Sequence, residues 1–409
     1  MKSSLFSVNG NIAHNWMLSI FIMMCGNAVY SYTRLWYVLL VFVAVAFLYM
    51  LMPIIVSRSS AFTYSYPKKI VFECLIFCAV VIMMRGIVDK GISYEGFMAL
   101  FPGPKVFMPY LFPLLLGCSA FSFDYRNFIK VSTICTFIFI TLIIINLPFL
   151  IERSAASATY IYANTEELEF DFNSLITIFT APLVLFLQRE FLPKRIWEIA
   201  FLNIIFAIFL AALNARRSTI FGISLIFLIG CYKEKKLRWV SIISLFAVGC
   251  FMYYNGMLDF LIAKFDMDTR TGVEEGFYND MDTCSWIFGR GATGTYFDPY
   301  ATFLDQTGVR TEIETGYLYL ILKGGIIYLA VYVLALLYAA WKGLRHSNNT
   351  FVRSFAIIIL VSLFELIPYG IPTWNLKFFS IWMGVTICLN SKMRMMTNED
   401  IKRLIRNGL

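Results

Sequence analysis

An all-α, polytopic membrane protein is the fold class the sequence predicts, and three observations carry that expectation. Of the 409 residues, 59% are hydrophobic and only 15% are charged; with a mean hydropathy of +0.71, this is not the composition of a water-soluble domain. Apolar runs of about 15 to 25 residues, long enough to cross a hydrocarbon core as a helix, recur from one end of the chain to the other. The connections between them alternate between basic and base-poor, the pattern that orients a chain in a bilayer.

Taken in order, the runs are bounded by polar interruptions. The first, 15–32, ends near Tyr32 without a small-x-small site, and the next begins almost at once at Leu35, so the first helix is expected to stay rather than be cleaved. Helix 35–56 closes at "SRSSAFTYSYPKK", 70–85 opens after it, and 106–122 and 131–150 flank "FDYRNFIK". The runs 173–188 and 196–214 flank "QREFLPKR"; 218–232 and 239–255 flank "KEKKLR". Helix 315–341 closes at "KGLRHSNN", followed by 351–371, 375–391 and the basic tail "SKMRMMTNEDIKRLIR". These make about twelve spans in a single integral membrane domain, 1–409, and the short runs at 15–32, 173–188 and 218–232 are short enough to be tilted, kinked or partly re-entrant.

The basic connections are every second one, so they belong on the cytoplasmic side, and an even number of spans puts both termini there. The alternate connections face outward: the turn at Arg34, the segments 86–105 and 152–172, Asn214–Ser218, the long loop 256–314 and the turn near Thr373. The net charge of +8 comes mainly from short basic loops, which points to membrane orientation and excludes a nucleic-acid partner. All cysteines but Cys284 fall inside or at the edge of apolar runs, so no disulfide framework is implied.

In "LAALNARRSTIFGIS", residues 210–224, the adjacent Arg216 and Arg217 occupy an outward turn against the charge bias. Two roles are open to them: snorkelling to phospholipid headgroups, or gripping an anion at a helix start, where Ser218 can cap and free N–H groups add positive potential. The long outer loop is the second informative feature. Its aromatics, among them Phe277, Tyr278, Trp286, Phe288, Tyr296 and Phe297, argue for order. Its start, 256–265, has the apolar spacing of a helix lying in the membrane interface. "GRGATG" sits outside the membrane and reads as a flexible or backbone-approach turn, not a nucleotide loop.

The candidate site draws on outer arginines (Arg216, Arg217, Arg270, Arg290, Arg310) and outer acids (Asp266, Asp268, Glu274, Glu275, Asp280, Asp282, Asp298, Glu312, Glu314). Guanidinium groups hold pyrophosphate two-pronged and without a metal. Both histidines, His14 and His346, fall on the cytoplasmic side. A carboxylate must then activate any outer hydroxyl, and Glu312 or Glu314, just before the helix at 315–341, is the best placed. Glu314 also suits the first turn of that helix as a dipole partner. The pairs Asp266/Asp268 and Asp280/Asp282 have the spacing of shared cation ligands, or of chance in an acid-rich loop; no metal or other cofactor is expected. Lys323 and Glu365 are intramembrane charges, which either pair or line the floor of an outer site.

"NARRS" opening a helix, one dominant outer loop before the last three helices, "IFGRGATGT" within it and "ETGYLYLILKGGIIYL" where it re-enters the membrane together resemble the O-antigen polymerase (Wzy-type) family, relatives of the O-antigen ligases among GT-C-like multi-span glycosyltransferases. The resemblance implies a polymerase of the bacterial cytoplasmic (inner) membrane. Such an enzyme transfers a growing glycan from undecaprenyl pyrophosphate to a new lipid-linked oligosaccharide unit on the outer face, with membrane lipids and a chain-length regulator as partners. Arg216, Arg217 and Arg290 would face the departing diphosphate, with Arg270, Arg310 and Lys323 nearby. Glu312 or Glu314 would orient or deprotonate the acceptor, and Trp286 and Tyr296 would stack on sugars or anchor the loop. In the ligase relatives a histidine commonly stands just before the re-entering helix; here Glu312-Ile313-Glu314 occupies that place, which favours polymerase over ligase. From a different class, a lipid-linked oligosaccharide flippase or transporter is the rival reading, but neither two related halves nor a charged path through the membrane centre is visible.

Overall fold

The computed structural model describes residues 35–56, 68–90, 125–145, 180–213, 217–231, 235–254, 271–299, 308–367 and 376–406, with scattered positions between 15 and 33. Helices make up nearly all of these residues, in the order α1 (Trp36–Val56), α2 (Lys68–Lys90), α3 (Tyr125–Ile145), α4 (Thr180–Leu187), α5 (Lys194–Leu213), α6 (Arg217–Cys231) and α7 (Lys235–Tyr254). There follow α8 (Thr271–Asp280), α9 (Thr283–Phe288), strands β1 (Tyr296–Phe297) and β2 (Val309–Arg310), α10 (Gly316–Arg345), α11 (Thr350–Glu365), α12 (Leu376–Leu389), α13 (Ser391–Met395) and α14 (Asn398–Arg406). The expected helix at 106–122 and the interfacial segment 256–265 lie outside the described residues.

By length and composition, Ile70–Val88 in α2 and Gly316–Arg345 are long and apolar enough to cross a membrane; shorter apolar stretches lie at Tyr37–Tyr49, Ser132–Ile145 and Ser380–Leu389. Outward faces carry large apolar side chains: Leu48 is 66% exposed, Phe77 69%, Phe246 72% and Leu334 64%. Soluble monomers rarely leave so much apolar surface uncovered.

At the centre α10, α11 and α12 pack together. Small residues let them approach: a Cβ at Gly343 would meet Cys388 Sγ at 2.6 Å and Ala356 Cβ at 2.8 Å. Such close packing supplies dispersion contacts between the helices. Trp382 of α12 is fully buried and meets Tyr332 of α10 edge-on at 5.9 Å. Around this centre, α4, α5 and α6 share a ring cluster in which Phe186 stacks on Trp197 at 5.7 Å and tilts against Phe227 at 5.6 Å.

The bundle has two chemically different ends. At one, the α10–α11 turn meets the C-terminal helices: Asn349 donates to the Met393 and Met396 carbonyls at 2.8 and 2.9 Å. Its carboxamide oxygen meanwhile caps α11 by accepting from Val352 N. Glu190, in the turn between α4 and α5, accepts from Thr350 and Asn398 at 2.9 Å each. The basic segments "QREFLPKR", "KGLRHSNN" and the tail, expected on one side of a membrane, therefore lie at one end of the fold. At the opposite end the start of α10 touches the end of α11, with Tyr317 N donating to Leu366 O at 3.3 Å. The end of α2 and the segment 289–294 meet there as well, where Ala292 N donates to Ile82 O at 3.1 Å.

Candidate functional site

The helix expected at 315–341 is found as α10, Gly316–Arg345, but it is not continuous. Gly325 leaves helical geometry at φ 71°, a conformation open to glycine but costly for other residues. The break frees carbonyls that an intact helix would satisfy, and the segment 289–294 fills them: Arg290 N donates to Leu322 O at 2.7 Å and Gly291 N to Lys323 O at 2.9 Å. So close an approach needs glycine on both sides. A Cβ at Gly325 would collide with the Ile287 carbonyl oxygen, and one at Gly289 with the backbone of Lys323 and Gly324. "GRGATG" is thus a close-approach turn clasping a kink.

Lys323 completes the clasp. Its side chain is 1% exposed, and Nζ donates to Gly294 O at 2.7 Å while lying 5.6 Å from the Tyr319 ring centre. It does not pair with Glu365. That carboxylate forms an ion pair with Lys377 of α12, and its Oε1 fills the space a side chain at position 222 of α6 would take. The role of Lys377 was not foreseen. Its sequence signal was an acid at the end of one helix followed, across a short turn, by a base at the start of the next.

The loop folds on its own small core. Phe277 is fully buried and meets Tyr296 edge-on at 5.4 Å and Trp286 at 5.7 Å. Leu318, Tyr319, Ile321 and Leu322 of α10 belong to the same cluster. Arg290 holds the parts together: its guanidinium contacts both the carboxylate and the main-chain carbonyl of Asp280 and donates to Thr295 O at 2.8 Å. Asp282 caps α9 through Ser285 N at 3.2 Å, and this hydrogen bonding holds its carboxyl below the usual range. The 280–282 acids are thereby engaged with Arg290 and Ser285, and among the described residues no group of three or more His, Cys, Asp or Glu is placed to hold a metal. Asp266 and Asp268 lie outside the described residues.

β1 and β2 form a short antiparallel ladder that places Tyr296 opposite Arg310. Arg310 Nε lies 2.8 Å from the fully buried carboxylate of Asp298. The Tyr296 hydroxyl donates to Glu312 O at 3.4 Å, and burial pushes its phenol up to about 12, so it remains protonated at neutral pH. Tyr296 anchors the loop, and Trp286 stacks on Tyr278 at 5.8 Å. Glu312 and Glu314 are exposed on the approach to α10. Thr315 takes the cap position but makes no capping bond; its hydroxyl turns to Glu274. Glu314 therefore lies just outside the helix, one residue before the cap. Arg217 opens α6, while Arg216 and Arg270 lie outside the described residues.

A chain of contacts joins the expected arginine and carboxylate elements. Arg217 is about 7.5 Å along the axis of α6 from Gly222. Gly222 abuts Glu365, and the adjacent Leu366 accepts from Tyr317, three residues beyond Glu314. Compared with protein-family models, curated proteins and solved structures, the chain matches none.

Proposed function

We propose that the chain is a glycosyltransferase of the bacterial cytoplasmic membrane, with about twelve spans and both termini cytoplasmic, that polymerises lipid-linked oligosaccharide repeat units on the outer face. The observation that carries the reading is the relay of contacts, at the bundle end opposite the basic connections, from α6, which Arg217 opens, through Glu365 and Leu366 to the start of α10, which the exposed Glu312 and Glu314 precede and to which a folded loop is clasped. The apolar outer surface and the resemblance of "NARRS", "IFGRGATGT" and "ETGYLYLILKGG" to O-antigen polymerases support it.

In the proposed reaction the acceptor sugar hydroxyl attacks the anomeric carbon of the glycan held on undecaprenyl pyrophosphate. A new glycosidic C–O bond forms as the bond to the pyrophosphoryl oxygen breaks, the configuration inverts, and the hydroxyl proton passes to Glu314 or Glu312. Negative charge grows on the departing diphosphate, so fixed guanidinium groups stabilise the transition state more than the ground state. That task falls chiefly to Arg216 and Arg217, since Arg290 and Arg310 already hold Asp280 and Asp298.

The test is complementation of a deletion strain with Arg216→Ala, Arg217→Ala and Glu314→Gln, with surface glycan resolved by length and protein level checked by immunoblot. The expected result is single repeats attached to the lipid core at unchanged protein level, with Arg→Lys restoring polymer only in part. Full-length polymer in either alanine strain removes the diphosphate clamp. Loss of all attached glycan on deletion would indicate a ligase, and cytoplasmic accumulation of lipid-linked units a flippase.

A further inference from the structure

We infer that Tyr278 and Trp286 of the folded loop form a platform for one neutral pyranose ring of the acceptor oligosaccharide, with Glu274 and the Tyr317 hydroxyl placed to meet its hydroxyls. The inference rests on the polymerase reading for its substrate and on the geometry below for its site.

The two rings are parallel to within 10° and 5.8 Å apart. Both stand edge-on to Phe277, at 6.0 and 5.7 Å, so a fully buried ring fixes their orientation from below. Tyr278 is nevertheless 45% exposed, unlike the buried aromatics Phe277 and Tyr296 that hold the loop together. A rigid exposed ring offers contact area at little entropic cost. Polar groups stand beside it: Glu274 lies one helical turn before Tyr278, on the same side of α8, and accepts from the Thr315 hydroxyl. The Tyr317 hydroxyl lies close to that of Tyr278.

The chemistry of this surface selects its occupant. Glu274, Glu275 and Glu314 repel a phosphate or diphosphate. A purely apolar ligand would leave Glu274 and the hydroxyls unmatched, at a desolvation cost. An organic cation also binds an exposed ring beside a carboxylate, so choline is the competing occupant that the experiment separates. A sugar ring has an apolar C–H face for the aromatic surface and equatorial hydroxyls for carboxylate and phenol. Thr315, which holds Glu274, directly follows Glu314, so a ring on the platform lies beside the proposed base.

The experiment is saturation-transfer NMR on purified full-length protein in detergent, with the methyl glycosides of glucose, galactose, N-acetylglucosamine and rhamnose as probes and choline and inorganic pyrophosphate as controls. At least one glycoside should receive saturation on its ring C–H protons. Tyr278→Ala should weaken that binding about tenfold, and Tyr278→Phe, which keeps the ring, should retain most of it. Unchanged resistance to trypsin at Arg290 serves as the folding check for both variants. Absence of any glycoside signal, binding of choline instead, or equal binding by Tyr278→Ala overturns the platform. The two readings fail separately. Tyr278-dependent glycoside binding with full-length polymer in Arg217→Ala removes the diphosphate clamp alone, while loss of polymer in Arg217→Ala without glycoside binding removes the platform alone.

Discussion

The ammonium of Lys323 lies 2.7 Å from the carbonyl oxygen of Gly294, inside the fold and away from solvent. A lysine is rarely hidden this completely unless its charge is matched. Here it ties the segment 289–294 to α10, on which that segment rests. Lys323→Met keeps the length of the side chain but leaves the carbonyl unpaired, an expected cost of about 1–3 kcal/mol. Limited trypsin digestion reads the outcome: cleavage after Arg290 should accelerate in the variant, and an unchanged rate would show that the lysine does not hold the loop.

The glycines of the clasp should tolerate substitution very unevenly. Gly325→Ala forces a Cβ into a positive-φ position and against the Ile287 carbonyl, for an expected loss of about 3 kcal/mol or more. Gly291→Ala, at φ 82° and against the backbone of Gly86, should behave similarly. Gly249 of α7 has nothing within 4 Å of its Cβ position, so Gly249→Ala should be neutral or stabilising by up to about 1 kcal/mol. Thermal aggregation midpoints in detergent rank the three.

Glu365 and Lys377 should behave as a unit. Their side chains are 14% and 21% exposed, so removing one partner strands the other and is expected to cost about 3 kcal/mol. The double variant Glu365→Gln/Lys377→Met should be more stable than either single change. Gly222→Ala, which presses on the Glu365 carboxylate, should destabilise the otherwise native protein and be better tolerated in the double variant. A thermal-shift double-mutant cycle checks both statements, and additive effects would refute the coupling.

The α9 cap should be acid-sensitive within a narrow window. The Asp282 carboxyl is held below its ordinary value by Ser285, so its contribution is complete above the unfolded carboxylate value of about 3.9 and fades as pH falls through the lower folded value. The protection factor of the Ser285 amide, its exchange relative to an unstructured chain at the same pH, should therefore fall below pH about 4. Asp282→Asn, an equally good cap without a titrating proton, should remove that fall. Identical acid profiles for the two proteins would rule out the carboxylate as its cause.

Helix positions were largely legible, because long apolar runs bounded by Lys and Arg leave few alternatives: 351–371 was expected and Thr350–Glu365 is found, 375–391 against Leu376–Leu389, 218–232 against Arg217–Cys231. The charged interruptions in those runs were legible as exceptions but not as partners. Lys323 and Glu365 stood out by residue type, yet which groups met them depended on tertiary contacts, a main-chain carbonyl for one and Lys377 for the other. The kink was harder still. Gly289, Gly291 and Gly294 of "GRGATG" signalled backbone approach, Gly324 and Gly325 did not, and hydrogen bonds between main-chain groups leave no side-chain code for the register at which two segments join. Arg290 and Arg310 read as candidate diphosphate ligands, and their pairing was hidden for the same reason: Asp280 and Asp298 are distinguished from other loop acids only by the fold.

The break at Gly325 also divides ownership of α10. Leu318, Tyr319, Ile321 and Leu322, above the break, share a core with Phe277 and Tyr296, whereas Tyr332, Leu336 and Ala339 below it pack into the central bundle. The natural boundary between loop and bundle therefore runs through the middle of a helix. A chimera that exchanges this loop with that of another protein must carry the helix top with it and splice at the glycine; a splice at the visible loop end would separate one half of a shared core from the other.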